Sequence, residues 1–393
     1  MKRVKFVSIF LFFFLVSGVV FSQSNFLKEY EDYKNTLKSK INTIRSRADY
    51  QAVKKWKKDQ IKRLLTILEK SKITPDMYEG AVDVYFNNKK YDKAIKYAKI
   101  SIKAGKVSDD IYYYLIESYI NKKKPLLAEK ELILYGKNFK NLDSRGEVEG
   151  DLADAFLSEG KFKLASKYFK KAYEDSKRKD YKNYFLEEYL TTLYKSGDKV
   201  KATKLMDEEI EKLRKAGDER GAKNIEKLKL RLSMVGKMAP EITGVSKWLN
   251  TKPLTLKGLS GKVVILDFWA PWCPPCREEI KELAKVYPLL HKKGLEIISI
   301  TSFYGFYSDG EVVKRGINKD EEVSLIKLFM SKRNAHWPVA IYEGSSRKVY
   351  DDYGVYGIPE IVFIGKDGKV KKIDVGFNSN FDLMGYLKKL LSE

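Results

Sequence analysis

The chain has 393 residues, of which 33% are charged and 44% are hydrophobic, and this composition excludes an intrinsically disordered protein. Its formal net charge is +23, but residues 238–393 carry only +4 of that charge, because 23 Lys and Arg stand against 19 Asp and Glu there. The other basic residues alternate with acidic and apolar ones instead of forming a block. We therefore interpret them as the solvated surface of helices and expect no nucleic-acid partner.

Residues 1–22 are typical of an export signal. Lys2, Arg3 and Lys5 precede a mainly apolar run over residues 6–21, and the small residue Ser22 follows at the expected cleavage point. The run is shorter than the roughly 20 residues that a membrane-spanning helix needs. We predict an exported protein of the periplasm or cell envelope that meets the membrane only through this signal. An uncleaved N-terminal anchor is the alternative.

Residues 23–237 are rich in Lys, Glu, Leu, Ala and Tyr, and they are predicted to be helical throughout. A small residue recurs in them at spacings of 34, 37 and 37 residues, and a large apolar or aromatic residue stands nine positions before each one. The small residues are Ala94, Ala128, Ala165 and Ala202, and the large ones are Tyr85, Tyr119, Phe156 and Leu193. Gly160 and Gly197 occupy the expected helix–helix turn in the last two units.

This pattern resembles the tetratricopeptide repeat, most closely over residues 152–172, and the resemblance extends over residues 76–216. A small residue at this position lets two antiparallel helices approach each other, and the aromatic residues fill the layer between neighbouring helices. The resemblance implies a concave surface that binds a protein partner. A purely architectural role and a generic helical array with chance spacing are the alternatives.

After Met238 the pattern changes to β-branched runs that alternate with amphipathic helical segments. Strands are predicted at residues 262–268, 295–300, 337–341, 361–364 and 370–375, and helices at residues 277–291, 321–332 and 381–391. The Asp-Gly pair at residues 367–368 predicts a hairpin between the last two strands. Residues 238–393 are therefore predicted to form an α/β domain, and the whole chain is predicted to be a multidomain protein.

The chain contains two cysteines, Cys273 and Cys276, and the loop between them is too short to stabilise the fold much as a disulfide. They follow a predicted strand and open a predicted helix. There, unpaired backbone N–H groups and the helix dipole favour a thiolate, and Pro274 and Pro275 suit the first helical turn. We predict that Cys273 attacks a substrate disulfide and that Cys276 resolves the mixed disulfide.

Residues 238–393 resemble the thioredoxin fold and, within it, the TlpA/ResA-like branch of exported reductases. The resemblance rests on four motifs, at residues 239–240, 261–264, 272–277 and 357–359. It implies a protein disulfide reductase with a protein disulfide substrate and a membrane or periplasmic electron donor. It also implies that Pro359 is cis and faces the dithiol, and that Ile358 offers backbone groups to a substrate strand. Asp267, six residues before Cys273, then serves proton transfer to the resolving cysteine, or is an ordinary aspartate at the strand end.

Trp272, next to Cys273, is predicted to belong to the exposed substrate surface, whereas Trp269 is predicted to be a core residue. Three features depart from the family pattern. Lys281 stands where a proline usually kinks the active-site helix, and Glu360 replaces the common threonine after the cis proline. Such a negative charge could disfavour the thiolate or select basic substrates. The third feature is an unusually long loop at residues 301–320, which either contacts substrate or packs down as a local cover.

The sequence indicates no metal or cofactor site, because His291 and His336 are 45 residues apart and no further cysteine exists. Other functions stay open. A scaffold of the cell envelope with incidental redox turnover is one alternative, and a dithiol oxidant on the same fold is another. A peroxidase is a third, although Ala270 stands where peroxidases of this group have a threonine.

Overall fold

The computed structural model describes residues 25–343, 348–379 and 381–393. The predicted export signal lies outside these residues. None of the helices in the described ranges combines the length and the apolar character that a membrane crossing requires. The chain divides into two compact units, Met1–Lys199 and Val200–Glu393. The second unit contains two helices as well as the α/β region after Met238, and the domain boundaries at residues 22 and 237 stay predictions.

The first unit, in its described part, is a succession of helices. Residues 25–42 are helical (α1). The following helices are α2 (Arg47–Glu69), α3 (Tyr78–Asn87), α4 (Tyr91–Lys103), α5 (Asp109–Asn121), α6 (Pro125–Tyr135), α7 (Leu142–Ser158), α8 (Phe162–Asp175) and α9 (Lys179–Lys195). The predicted helical character of this region is confirmed, and its arrangement is consistent with repeats.

The alanines of the predicted repeat are fully buried. Ala94, Ala128 and Ala165 expose no surface, as expected for small residues where two helices pack closely, and Ala202 in the second unit is also fully buried. The large residues nine positions earlier are also withdrawn from solvent, with Phe156 completely buried and Tyr119 half-buried. Helix packing in this region therefore follows the spacing that the sequence indicated. Its assignment to the tetratricopeptide family stays a prediction.

The turn after the first helix of each pair has the same left-handed conformation in all four predicted repeats. Gly160 and Gly197 adopt φ values of 71° and 104°, and Lys89 and Lys123 adopt φ values of 59° and 55° at the corresponding positions. The backbone N–H of Lys89 donates to the Phe86 carbonyl at 2.8 Å, as Gly160 does to Leu157 at 2.9 Å. Two lysines therefore occupy positions that favour glycine. The sequence pattern identified this turn only in the two units that contain glycine.

The second unit begins with α10 (Lys199–Lys215) and α11 (Glu219–Met234) and continues into a six-stranded sheet. Its strands are β1 (Lys247–Leu249), β2 (Val263–Phe268), β3 (Leu295–Ser302), β6 (Val339–Tyr342), β7 (Glu360–Ile364) and β8 (Val370–Val375). They lie in the order β1-β6-β3-β2-β7-β8, in which β2, β3 and β6 are parallel, whereas β1, β7 and β8 run antiparallel to their neighbours. The predicted α/β architecture is confirmed.

The remaining elements of this unit cover the sheet or extend it. They are α12 (Pro274–Leu290), β4 (Phe306–Ser308), β5 (Val313–Arg315), α13 (Lys319–Ser331), α14 (Lys348–Asp352) and α15 (Leu383–Ser392). The strands β4 and β5 form a separate hairpin within the predicted long loop. The strand β1, this hairpin and α14 were not predicted from the sequence.

Every residue of β2 is buried, because both faces of the sheet are covered. Val263 and Ile265 join one core with residues of α12, α13 and α15, whereas Leu266 and Phe268 join a second core with residues of α14 and the end of α11. Because side chains alternate along a strand, Asp267 faces the first core. The chain then leaves β2 directly into residues 269–273 and α12, so the cysteines lie at the end of a central strand.

Replacing Lys89 or Lys123 with glycine should stabilise the protein. Both side chains are exposed, and glycine removes the penalty of about 1 kcal/mol that a side chain imposes in the left-handed region. We expect each variant to raise the free energy of unfolding by about that amount, measured by denaturant titration of far-ultraviolet circular dichroism. The control Lys130→Gly, on the exposed face of α6, should instead lose about 1 kcal/mol. A loss in all three variants would contradict this account.

Candidate active site

Cys273 and Cys276 are joined by a disulfide at the N-terminus of α12. Cys273 is the N-cap residue, and its sulfur lies 3.3 Å from the backbone nitrogen of Cys276. Pro274 and Pro275 occupy the first turn, where no N–H donor is needed. Cys273 exposes 4% of its surface and Cys276 none. In the reduced state the same N–H group is placed to stabilise a thiolate on Cys273.

The segment before β7 lies against this sulfur. The Ile358–Pro359 peptide bond is cis, and the Cys273 sulfur lies 3.7 Å from the Ile358 carbonyl oxygen. Pro359 is buried and Ile358 is half-buried. The structure therefore brings Cys273, Ile358 and Pro359 together. These residues belong to two motifs that are far apart in the sequence and that were predicted to form one site.

The two tryptophans near the dithiol differ in burial. Trp269 is fully buried and stacks on Phe329 at a centroid distance of 5.0 Å. Trp272 is 38% exposed and meets Tyr304 edge to face at 5.5 Å. Trp272 thus presents an apolar surface beside Cys273, whereas Trp269 belongs to the core.

Asp267 is fully buried beneath the site on β2. Its Oδ2 atom accepts a hydrogen bond of 2.6 Å from the Ser299 hydroxyl, which in turn accepts one of 2.8 Å from the indole nitrogen of Trp337. Its Oδ1 atom has no hydrogen-bond partner among the described residues. Burial raises the pKa of Asp267, and the bond from Ser299 offsets this rise only in part. The group is therefore more easily protonated than an exposed aspartate.

A second buried carboxyl, Glu279, lies on α12 three residues after Cys276. It is 7% exposed, and its Oε2 atom has no hydrogen-bond partner in the described ranges. Burial raises its pKa, and the charges of Asp267 and Asp374 raise it further. Sequence reasoning missed this residue because Glu278 and Glu279 form an ordinary acidic pair. The available signal was helical periodicity, which places Glu279 beside Cys276 and one turn before Leu283 on the inner face of α12.

Glu360, directly after the cis proline, is fully buried on β7 opposite Phe268. Its carboxylate lies 3.6 Å from the guanidinium of Arg231 on α11, and neither oxygen accepts a hydrogen bond from a described residue. Burial raises the pKa of Glu360 to about 8, although Arg231 and Lys227 act to lower it. The Glu360 side chain is therefore inaccessible to a substrate surface, which argues against the selection of basic substrates, whereas its effect on the thiolate stays a prediction.

The loop over residues 301–320 is anchored and also reaches the site. Tyr307 is buried in the core and donates a hydrogen bond of 2.9 Å to Asp309. The backbone nitrogens of Tyr304 and Gly305 donate to the Glu322 carboxylate at 2.9 and 3.1 Å. The loop therefore packs down through Tyr307, as one of the two alternatives predicted, and it brings Tyr304 to Trp272. Contact of this loop with substrate stays a prediction.

Lys281 is exposed and pairs with Glu278 at 2.8 Å, away from the dithiol. The helix α12 continues past this position to Leu290 and contains Pro288 in its last turns. The proline expected five residues after Cys276 is thus absent, and a proline lies further along the same helix.

A cleft of about 1010 Å³ lies within the second unit, and its lining includes Trp272, the neighbour of Cys273 in sequence, and Ile358. One wall is the exposed face of α11, and the other consists of two aromatic side chains and the segment before the cis proline. The residues that the two walls contribute include Arg220, Lys223, Lys227, Trp272, Tyr304 and Ile358.

The Redoxin family model matches residues 234–390. The thiol-disulfide oxidoreductase ResA of Bacillus anthracis is 35% identical over 156 residues, which cover 40% of this chain and 78% of the relative. The ResA of Geobacillus thermodenitrificans is 29% identical over 156 residues, with the same coverage of both chains.

Solved structures with a likeness to this chain include a putative thiol:disulfide interchange protein DsbE from Chlorobium tepidum, with 26% identity and a TM-score of 0.31. A second is the thioredoxin domain of a thiol-disulfide oxidoreductase from Bacteroides vulgatus, with 23% identity and a TM-score of 0.32. Each covers 40% of this chain and 97% of its own.

The buried carboxyl of Glu279 should make the stability of the protein depend on pH. The pKa of Glu279 is higher in the folded protein than in the unfolded chain. The contribution of this carboxyl to the free energy of unfolding is therefore fully present below the pKa of an unfolded glutamate, and it is lost as the pH rises toward the pKa of the folded protein. Glu279→Gln should therefore gain about 1–3 kcal/mol of unfolding free energy relative to the wild type between pH 5 and pH 8.

Denaturant titrations at the two pH values measure this difference. Glu278→Gln is the matched control, because Glu278 is exposed and lies one residue away. Its stability should follow the wild type at both pH values. Equal behaviour of the two glutamine variants would show that Glu279 is not the responsible group.

Proposed function

Through residues 234–390 the chain belongs to the ResA-like thiol-disulfide oxidoreductases of the thioredoxin family, and on that premise we propose that it reduces disulfides in exported polypeptides with Cys273 and Cys276. The observation that carries this proposal is the position of the Cys273 sulfur. It caps α12 and lies 3.7 Å from the Ile358 carbonyl beside Pro359. A nucleophilic sulfur thus stands next to backbone groups that can pair with a substrate strand.

Reduction begins with the dithiol form of the protein. The Cys273 thiolate attacks one sulfur of a substrate disulfide, forms a mixed disulfide and releases the second substrate sulfur, which takes up a proton. Cys276 then loses its proton and attacks the Cys273 sulfur, and the first substrate sulfur leaves as a thiol. Two electrons have moved to the substrate, and the Cys273–Cys276 disulfide remains. A membrane or periplasmic dithiol donor must reduce it again.

The resolving step requires an internal proton acceptor because Cys276 is completely buried. Asp267 is proposed for this role. Its pKa is raised by burial, so it exchanges a proton more readily near neutral pH than an exposed aspartate does. Glu279, whose pKa Asp267 raises further, is the second buried proton carrier beside it.

The substrate is proposed to lie as an extended strand along residues 355–358. Ile358 supplies the backbone pairing groups, and Trp272 supplies an apolar contact beside the scissile disulfide. Pro359, which has no N–H group, limits the pairing at the end of this segment. A cleft of about 1010 Å³ is far larger than the two sulfur atoms of a disulfide require, and this size favours a polypeptide substrate.

The helical region and the cellular location complete the proposal. The buried alanine pattern of the helices supports a repeat surface that binds a protein partner. The basic and apolar start of the sequence supports export to the periplasm or cell envelope, with an uncleaved anchor as the alternative.

Substrate trapping tests the proposed chemistry. Cys276→Ser keeps the attacking thiolate and removes the resolving one, so mixed disulfides should accumulate through Cys273. Non-reducing electrophoresis followed by mass spectrometry identifies them, first with a synthetic peptide that contains one disulfide.

Two controls complete this test. Cys273→Ser should trap nothing, and the wild type should accelerate the reduction of the peptide by dithiothreitol above the rate measured without protein. Absence of trapping by Cys276→Ser, together with no peptide reduction by the wild type, would replace the reductase proposal with a scaffold.

A further inference from the structure

The helix α11 (Glu219–Met234) lies before the segment that gives almost all of the family match. Its inner face buries Ala222, Ile225 and Leu228, and it also buries Arg231, which is only 6% exposed. Arginine is almost never buried to this degree unless it is paired. The partners of Arg231 therefore indicate why the helix carries a charge on its inner face.

The Arg231 guanidinium contacts residues of the segment 354–360. One nitrogen donates to the Gly354 carbonyl at 3.3 Å and lies 3.6 Å from the Glu360 carboxylate, and the group lies 4.4 Å from the centre of the Tyr356 ring. One turn earlier, the Lys227 ammonium donates to the Val355 carbonyl at 2.8 Å. The helix thus binds both ends of the segment that presents Ile358 and Pro359 to Cys273.

Glu360 depends on this arginine. Its carboxylate is fully buried and accepts no hydrogen bond from a described residue, and it forms an ion pair with Arg231. A buried charge without its partner is strongly unfavourable, so removal of the arginine would leave Glu360 either to take up a proton or to reach water through a movement of the segment, and in both cases the ion pair that holds the segment is lost. Because Glu360 adjoins Pro359, such a movement would displace the backbone beside the Cys273 sulfur.

The backbone of the segment also lies directly on α11. Gly354 has a φ of 69°, and a Cβ atom at this position would come within 2.9 Å of the Lys227 carbonyl oxygen and 3.1 Å of the Arg231 side chain. A larger residue would therefore push the segment away from the helix. The ion pair and this close approach hold the same stretch of chain.

We propose that Arg231 is a positioning residue for disulfide exchange, which acts through Glu360 to hold residues 354–360 in place beside Cys273. The inference rests on the proposed reductase function. It makes α11 part of the redox machinery rather than a connection to the preceding helices. If Arg231 served only to pack α11, its replacement would change the rate of reaction with a polypeptide disulfide no more than it changes the reactivity of the Cys273 thiol itself.

A double-mutant cycle in the full chain tests this proposal. The variants are Arg231→Met, Glu360→Gln and the two combined, and each reduced protein is mixed with a synthetic peptide that contains one disulfide. We expect each single variant to react about tenfold more slowly with the peptide. The combined variant should lose no more than Arg231→Met alone, because the two side chains act as one unit.

Alkylation of Cys273 by iodoacetamide is the second measurement, since this small reagent needs the thiolate and not the peptide-binding segment. Its rate should stay within about twofold of wild type in every variant. Lys229→Met is the matched control, because Lys229 lies on the same helix but pairs with Asp207 of α10. It should match the wild type in both reactions.

The outcomes separate the two proposals. A wild-type protein that does not react with the peptide disulfide contradicts the reductase function itself. A reactive wild type with an equally reactive Glu360→Gln overturns the role of Arg231, even if Arg231→Met fails to fold. Losses that multiply in the combined variant overturn the claim that Arg231 acts through Glu360.

Discussion

The Cys273 sulfur must lie at the N-terminus of a helix and beside the Ile358 carbonyl at the same time, and the second unit is arranged around this constraint. The cysteine follows the C-terminal end of the central strand β2, where α12 starts. The neighbouring strand β7 runs antiparallel to β2, so the segment before β7 lies at the same end of the sheet. Because β2 is buried on both faces, its register with β7 is fixed, and so are the relative positions of Cys273 and the segment before β7.

Three carboxyl groups are buried around this point, and each is accommodated differently. Asp267 accepts one hydrogen bond from Ser299. The charge of Asp267 raises the pKa of Glu279. Glu360 forms an ion pair with Arg231 on the other face of the sheet. Burial raises the pKa of all three. The first two are the proposed proton carriers for the dithiol, and the third is proposed to join the cis-proline segment to α11.

Local patterns in the sequence predicted most of the sheet and the dithiol, because hydrophobic period, turn residues and cysteine spacing are encoded within short windows. The motif around Pro359 was informative for the same reason. The Arg231–Glu360 pair was not predictable, since the two residues are far apart in sequence and Arg231 is an unremarkable charge in a lysine-rich helix, although Glu360 was recognised as unusual after the proline. Lys89 and Lys123 were missed because lysine does not signal the left-handed turn that they adopt.

The reduction potential of the Cys273–Cys276 pair tests the reductase account most directly. The full chain would be equilibrated with glutathione redox buffers, and its dithiol fraction would be measured by thiol alkylation and mass spectrometry. The account predicts a potential more negative than about −240 mV, so that the dithiol donates electrons to substrate disulfides. A potential near −120 mV, typical of a strong dithiol oxidant, would contradict it.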